Sequence, residues 1–343
     1  MIKRLLFGLL IFAICTCAFA ERAAAQTIDP CLTLTDWSFP QSIPTGWFYY
    51  APYPGTYTYV IAAMLATCAP VAAPVEICLP CLAAAAGRPI NLATGNTYIR
   101  QVDVRIPGLS DGLTLVRTWN SRWPSTQSGY QIGLFGPNWS STYDQRVFVG
   151  SDKYIKWEGS DGNFSSFGST GVGTTAWVLA APQGSSTTLV TPNTASPYWL
   201  ITLPNGEQRK FDSTSGMLTA IIDRNGNTTT LTYDSANRLA TVTDPASRHL
   251  YFGYGSPSSH LVTSVTSDVG ISLTYAYDTQ GRLSVVTNPD LSTLTYTYNS
   301  QSLITSVTDS NGKVLESHTY DSGAHGLTSS RAAGVEAVTI TYP

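Results

Sequence analysis

Between residues 201 and 343, large and small side chains alternate with a period of two. Leu231, Phe252, Tyr275, Tyr296, His318 and Ile340 each stand two residues before an aromatic, and Thr229, Leu250, Leu273, Leu294, Glu316 and Val338 stand four before it. The positions between hold Thr232, Gly253, Ala276, Thr297, Thr319 and Thr341. A period of two puts the large side chains on one face and predicts half-buried strands. The aromatics that close these strands are Phe211, Tyr233, Tyr254, Tyr277, Tyr298, Tyr320 and Tyr342, at intervals of 22, 21, 23, 21, 22 and 22 residues. Asp212, Asp234, Asp278 and Asp321 follow four of them, and Gly255 and Asn299 follow two others. Turn clusters end the alternate strands, as at Asp223-Arg224-Asn225-Gly226 and Asp309-Ser310-Asn311-Gly312. Asn-Gly is a strong hairpin signal because both residues accept positive φ. Each unit therefore reads strand, turn, strand, turn. One hairpin cannot bury its own face but stacked hairpins can, so equivalent aromatics are expected to line up from unit to unit.

The fold class expected is all-β: a small N-terminal β domain followed by a ribbon of stacked antiparallel hairpins. Residues 87–200 alternate short strand-like runs, such as Leu113–Trp119 and Arg146–Val149, with Gly, Pro and Asn turns. Residues 26–86 are rich in Ala, Pro and aromatics and read as a loop-rich head. Residues 1–25 have the layout of a secretory signal: Lys3 and Arg4, an apolar run from Leu5 to Ala20, and small-residue cleavage patterns at Ala18-Phe19-Ala20 and Ala23-Ala24-Ala25. A membrane anchor and lipidation at Cys17 are the competing readings of that segment. No further membrane span is expected, since the apolar run Tyr57–Ala69 is too short.

Composition narrows the function. The 343 residues carry 22 acids and 19 bases, a net charge of −3, so no basic field is present and nucleic-acid binding is not expected. Sparse Lys and Glu with abundant Thr, Ser, Val and Tyr disfavour a helix bundle, a doubly wound nucleotide-binding fold or a coiled coil. Four cysteines remain after a signal is removed: Cys31, Cys68, Cys78 and Cys81. They suit two disulfides in an oxidising compartment, with three possible pairings. Half of a zinc site or a redox pair at Cys78 and Cys81, or free thiols, are the alternatives. No nucleophile elbow, zinc-protease or phosphate-loop motif is present. The four histidines (His249, His260, His318 and His325) lack a metal spacing, and most carboxylates fall in turns, where Asp bonds its own backbone. No cofactor, metal or enzyme activity is expected, although a hydrolase with a carboxylate pair is a further reading. Tyr49, Tyr50, Tyr53, Tyr57 and Tyr59 cluster in the head, where rings with polar tips can stack on sugars.

Tyr277-Asp278-Thr279-Gln280-Gly281-Arg282-Leu283, and Tyr233-Asp234 with Asn237-Arg238-Leu239, resemble the YD repeats of Rhs proteins. Upstream, Gly87-Arg88-Pro89-Ile90-Asn91-Leu92-Ala93-Thr94-Gly95-Asn96, Pro107-Gly108, Arg117-Thr118-Trp119-Asn120-Ser121 and Gly136-Pro137-Asn138-Trp139 resemble the domain that precedes the repeats in Rhs-like polymorphic toxins. The resemblance implies a hairpin ribbon wound into a hollow shell that encloses a C-terminal effector. No core motif, self-cleavage site or toxin tail is recognisable here. About six repeats are too few for a closed shell, and the chain ends inside a repeat after Tyr342. It therefore reads as a secreted, non-enzymatic N-terminal fragment of such a shell. Its partner would be a missing C-terminal effector. The alternative is a module that binds a cell-surface glycan or partner.

Overall fold

The computed structural model describes residues 85–86, 90–122, 133–150, 154–169, 176–179, 187–192, 196–332 and 334–342. The signal segment, the head and its tyrosines, and Cys31, Cys68, Cys78 and Cys81 lie outside the described residues. Among the described residues there is no α-helix. Strands β1 (Ala85–Ala86) and β2 (Ile90–Asn91) pair with each other. Strands β3 (Tyr98–Ile106), β4 (Leu113–Asn120) and β5 (Trp139–Ser141) form a three-stranded antiparallel sheet in which Trp119 faces Trp139. The β3–β4 link is a tight 3-10 turn closed by Gly112 at φ 63°. A Cβ there would lie 2.0 Å from the Ile106 carbonyl, so only glycine fits.

The remaining strands run in chain order, each antiparallel to the one before. The first are β6 (Arg146–Val149), β7 (Ile155–Glu158), β8 (Phe164–Ser169), β9 (Ala176–Leu179) and β10 (Thr188–Val190). They continue through β11 (Tyr198–Thr202), β12 (Gln208–Asp212) and β13 (Leu218–Ile222) into the repeats, β14 (Thr228–Tyr233) to β24 (Val335–Thr339). The sheet closes on itself. Val147 N–H donates to the Gly216 carbonyl at 2.9 Å, and Arg146 bridges Met217 in the β12–β13 turn.

Within the repeats the alternation becomes burial. On Ser272–Tyr277, Leu273 and Tyr275 are buried and Tyr277 half-buried, while Ser272, Thr274 and Ala276 are exposed. A β-bulge precedes the closing aromatic in each unit: between Thr232 and Tyr233, Gly253 and Tyr254, Ala276 and Tyr277, Thr297 and Tyr298, and Thr319 and Tyr320. The turn that follows is shaped by its Asp. Asp278 Oδ1 accepts the backbone N–H groups of Gln280 and Arg282, both at 2.9 Å, while Gly281 takes φ 73°. Such Asx turns satisfy backbone donors that strands cannot reach. One hydrophobic core runs without interruption from the β3–β5 sheet through β6–β8 to the inner face of the repeats.

Candidate functional site

The inner face of the ribbon holds its partner sheet through a row of aromatics. Tyr143 packs edge-on against Phe252 (6.2 Å between centroids), Phe135 against Tyr275 (4.9 Å), Trp139 against Tyr296 (5.5 Å) and Trp119 against Tyr320 (6.4 Å). Four consecutive repeats thus each seat one ring of the segment 119–143. Tilted and edge-to-face pairs of this kind add to what area burial contributes.

A buried ion pair lies at the centre of the seat. Arg117 on β4 is 0% exposed. Its Nε and Nη2 both donate to Asp103 of β3, the latter at 2.8 Å, and the Tyr275 hydroxyl donates to the same carboxylate at 2.7 Å. The guanidinium also lies 4.7 Å from the Trp139 ring centre and 5.4 Å from those of Phe135 and Tyr275. Burial alone would lower the Arg117 pKa, but the Asp103 carboxylate outweighs it and holds the group charged. The ribbon thereby contributes a hydroxyl and a ring to a charge pair that belongs to the sheet. Bonds to backbone carbonyls complete the seat: Val262 N–H to that of Leu134 (2.9 Å), Gly326 N–H to that of Gly95 (2.8 Å) and the Ser121 hydroxyl to that of Ala324 (2.9 Å).

The closing tyrosines tie each repeat to the one before. The hydroxyls of Tyr233, Tyr254, Tyr277, Tyr298, Tyr320 and Tyr342 donate to the carbonyls of Leu218, Leu239, Val262, Leu283, Ile304 and Gly326 at 2.6–2.8 Å. Burial raises the Tyr233, Tyr254, Tyr277, Tyr298 and Tyr320 pKa values far above the ordinary phenol, so these groups remain donors. Phe211 starts the row and contributes a ring only. The turns add a second tie. Arg238 bonds Asp234 and lies 4.4 Å from the centre of the Tyr254 ring, and Arg282 bonds Asp278 and lies 4.5 Å from Tyr298. In the last turn His325 takes the place of Arg, bonding Asp321 at 2.7 Å beside Tyr342. The Asp234 carboxyl is held below the usual range chiefly by the Arg238 side chain, and that of Asp212 by the backbone and hydroxyl of Ser215.

Two family matches coincide with these two partners. The RHS Repeat family matches residues 211–249 and 258–293, and the Domain of unknown function (DUF6531) family matches residues 87–167. The chain carries RHS repeats. No curated protein sequence matches it significantly. Among solved structures, the TcdB2-TccC3 complex is 12% identical with a TM-score of 0.34, over 72% of this chain and 17% of that one. A Tc holotoxin pore of Photorhabdus luminescens is 12% identical with a TM-score of 0.29, over 68% and 14%. The TcdB2-TccC3-Cdc42 structure is 11% identical with a TM-score of 0.28, over 69% and 15%. The chain thus spans between about a tenth and a sixth of these solved chains.

The RHS repeats bring the closing aromatics and their Asp neighbours together along one edge of the ribbon. Tyr342 lies past the end of β24 yet keeps its bond to Gly326. The role of Asp103 was not legible, because a lone Asp on an alternating strand reads as surface. In the Val314–Tyr320 strand, Glu316 and His318 occupy the inward positions that other repeats fill with apolar side chains, and they lie 3.4 Å apart. Among the described residues no group of three His, Cys, Asp or Glu side chains could hold a metal ion. None of their helices is long and apolar enough to cross a membrane.

Proposed function

We propose that the chain is a secreted, non-enzymatic structural segment of an RHS shell, in which residues 90–122 and 133–143 act as the seat on which the first repeats are wound. The observation that supports this most is the Asp103–Arg117–Tyr275 centre. A buried charge pair completed by the ribbon fixes register between the two parts, a role for which such groups are well attested. Four aromatic contacts on successive repeats extend the same fixation along the ribbon. The Asp103 carboxylate is satisfied by Arg117 and Tyr275 together, which suits a scaffold. In a longer relative, such a ribbon would continue around an effector.

Hydrogen exchange on the full chain tests this reading. The amides of β3 and β4 and those of the repeat strands are expected to exchange slowly and in one cooperative phase. A sheet that exchanges quickly while the repeats stay protected would overturn the seating. Saturable binding of a glycan that is lost in Tyr49→Ala and Tyr53→Ala variants would instead make the head a binding module.

A further inference from the structure

Away from the seat, a cleft of about 800 Å3 opens between the β3–β4 link and the turns around Asn205 and Asp223. Its size is that of a small-ligand site. Four arginines line it: Arg100, Arg105, Arg209 and Arg224. Only Arg209 has a carboxylate partner, Glu207 at 2.9 Å; the other three make no ion pair among the described residues. Three buried polar atoms belonging to lining residues are also unpartnered: Thr229 Oγ1, Ser110 Oγ and Arg209 Nε. Thr229 is only 2% exposed. A hydroxyl buried without a partner is costly, and such a group calls for an explanation. In this state these atoms are closed to water. Both hydroxyls belong to residues that line the cleft, and neither has a hydrogen bond to give up to a ligand. The cleft lip is itself strained, with Ser110 and Asp111 at φ 54° and 62°.

The charges choose the ligand. Four guanidiniums stand against three lining carboxylates, those of Asp111, Glu207 and Asp223, an excess of one positive charge. That is far too little for a polyanion held through many phosphates. It matches one carboxylate, which a guanidinium grips through paired N–H groups. The lining carboxylates and hydroxyls suit the hydroxyls of a polyol. Val102 and Leu109 at the lip, 49% and 60% exposed, offer an apolar surface to a sugar's C–H face. We propose that this cleft binds a uronic-acid unit of an acidic polysaccharide, its carboxylate held by the free arginines and its hydroxyls by the remaining polar lining. This does not depend on the scaffold reading.

Calorimetric titration of the full chain with a galacturonate oligomer, beside a neutral galactose oligomer of equal length, tests it. Saturable binding of the acidic oligomer alone is expected, weakening as salt rises. Arg100→Ala and Arg224→Ala, both at exposed positions, should each weaken binding about tenfold with the melting temperature unchanged. Thr229→Val should weaken binding while raising the melting temperature, since it removes an unpartnered hydroxyl. Failure of the acidic oligomer to bind, equal binding of the neutral one, or affinity unchanged in both arginine variants would overturn the proposal. So would binding that is lost only in the Tyr49→Ala variant.

Discussion

At Tyr277 the hydroxyl and the ring contribute separately. The hydroxyl bonds the Val262 carbonyl, so Tyr277→Phe should cost about 1 kcal/mol. The half-buried ring packs against the core of the neighbouring repeat, so Tyr277→Ala should cost about 3 kcal/mol. Denaturant unfolding of the full chain measures both, and a loss below about 1 kcal/mol for the alanine variant would remove this ring from the stack. Arg117 and Asp103 behave as a unit. Asp103→Asn leaves a buried guanidinium without its counter-charge and should cost about 3–5 kcal/mol, whereas Arg117→Met combined with Asp103→Leu should cost much less than either single change. A double-mutant cycle decides this, and additive losses would refute it. The tyrosine spacing was legible because one geometry repeats at every unit. The Asp103–Tyr275 bond was not, since it joins residues 172 apart whose pairing depends on the curl of the whole sheet.

The hairpin turns obey a shared rule. The third residue after the turn's Asp or Asn takes positive φ, whether it is Gly281, Gly312, Asn237, Ser302 or Ala324. Leu291 is the costly member of this set, at φ 67° and 80% exposed. A left-handed conformation costs an L-residue about 1–2 kcal/mol, and glycine's added unfolded-state entropy offsets about 0.5–1 kcal/mol of the relief. Leu291→Gly should therefore stabilise the full chain by about 0.5–1 kcal/mol. A rise in melting temperature would confirm it, and an unchanged or lower value would show that the leucine packs in a way its exposure hides. The turns themselves were legible in Asn-Gly and Asp-Pro pairs. The bulge before each closing aromatic was not, because an extra unpaired residue on one strand leaves the 22-residue spacing unchanged.

Across the whole molecule, the alternation told which face is buried but not what buries it. The covering sheet comes from upstream sequence, and the same core continues through β6–β8, so burial alone draws no line at residue 200. Asp144 lies at the junction of all three parts, in a cavity of about 660 Å3 lined by Tyr143, Arg146, Glu158 and Tyr233. Its side chain keeps an edge open to that cavity, yet its carboxyl is pushed up to about 7. Desolvation is the main cause and the Glu158 charge adds to it, against the Leu134 N–H, the Ser141 hydroxyl and Arg146. Burial raises Glu158 as well, with Arg146 opposing. A carboxyl raised in the folded state binds its proton more tightly there than in the unfolded chain. Its contribution is therefore complete below the ordinary value of 3.8 and is lost as pH rises toward about 7. The turn carboxylates work in the opposite sense. Asp234, Asp268 and Asp290 are lowered by hydrogen bonds from Arg238, His249 and Ser292, so their contributions hold above the ordinary carboxylate range and fade only in stronger acid. Stability should thus fall between pH 5 and pH 7 while the turns remain intact, and Asp144→Asn should flatten that fall without changing the loss in acid. Melting temperatures of the two full-length chains from about pH 3 to pH 8 measure it. Parallel curves above pH 5 would place the decline elsewhere in the molecule.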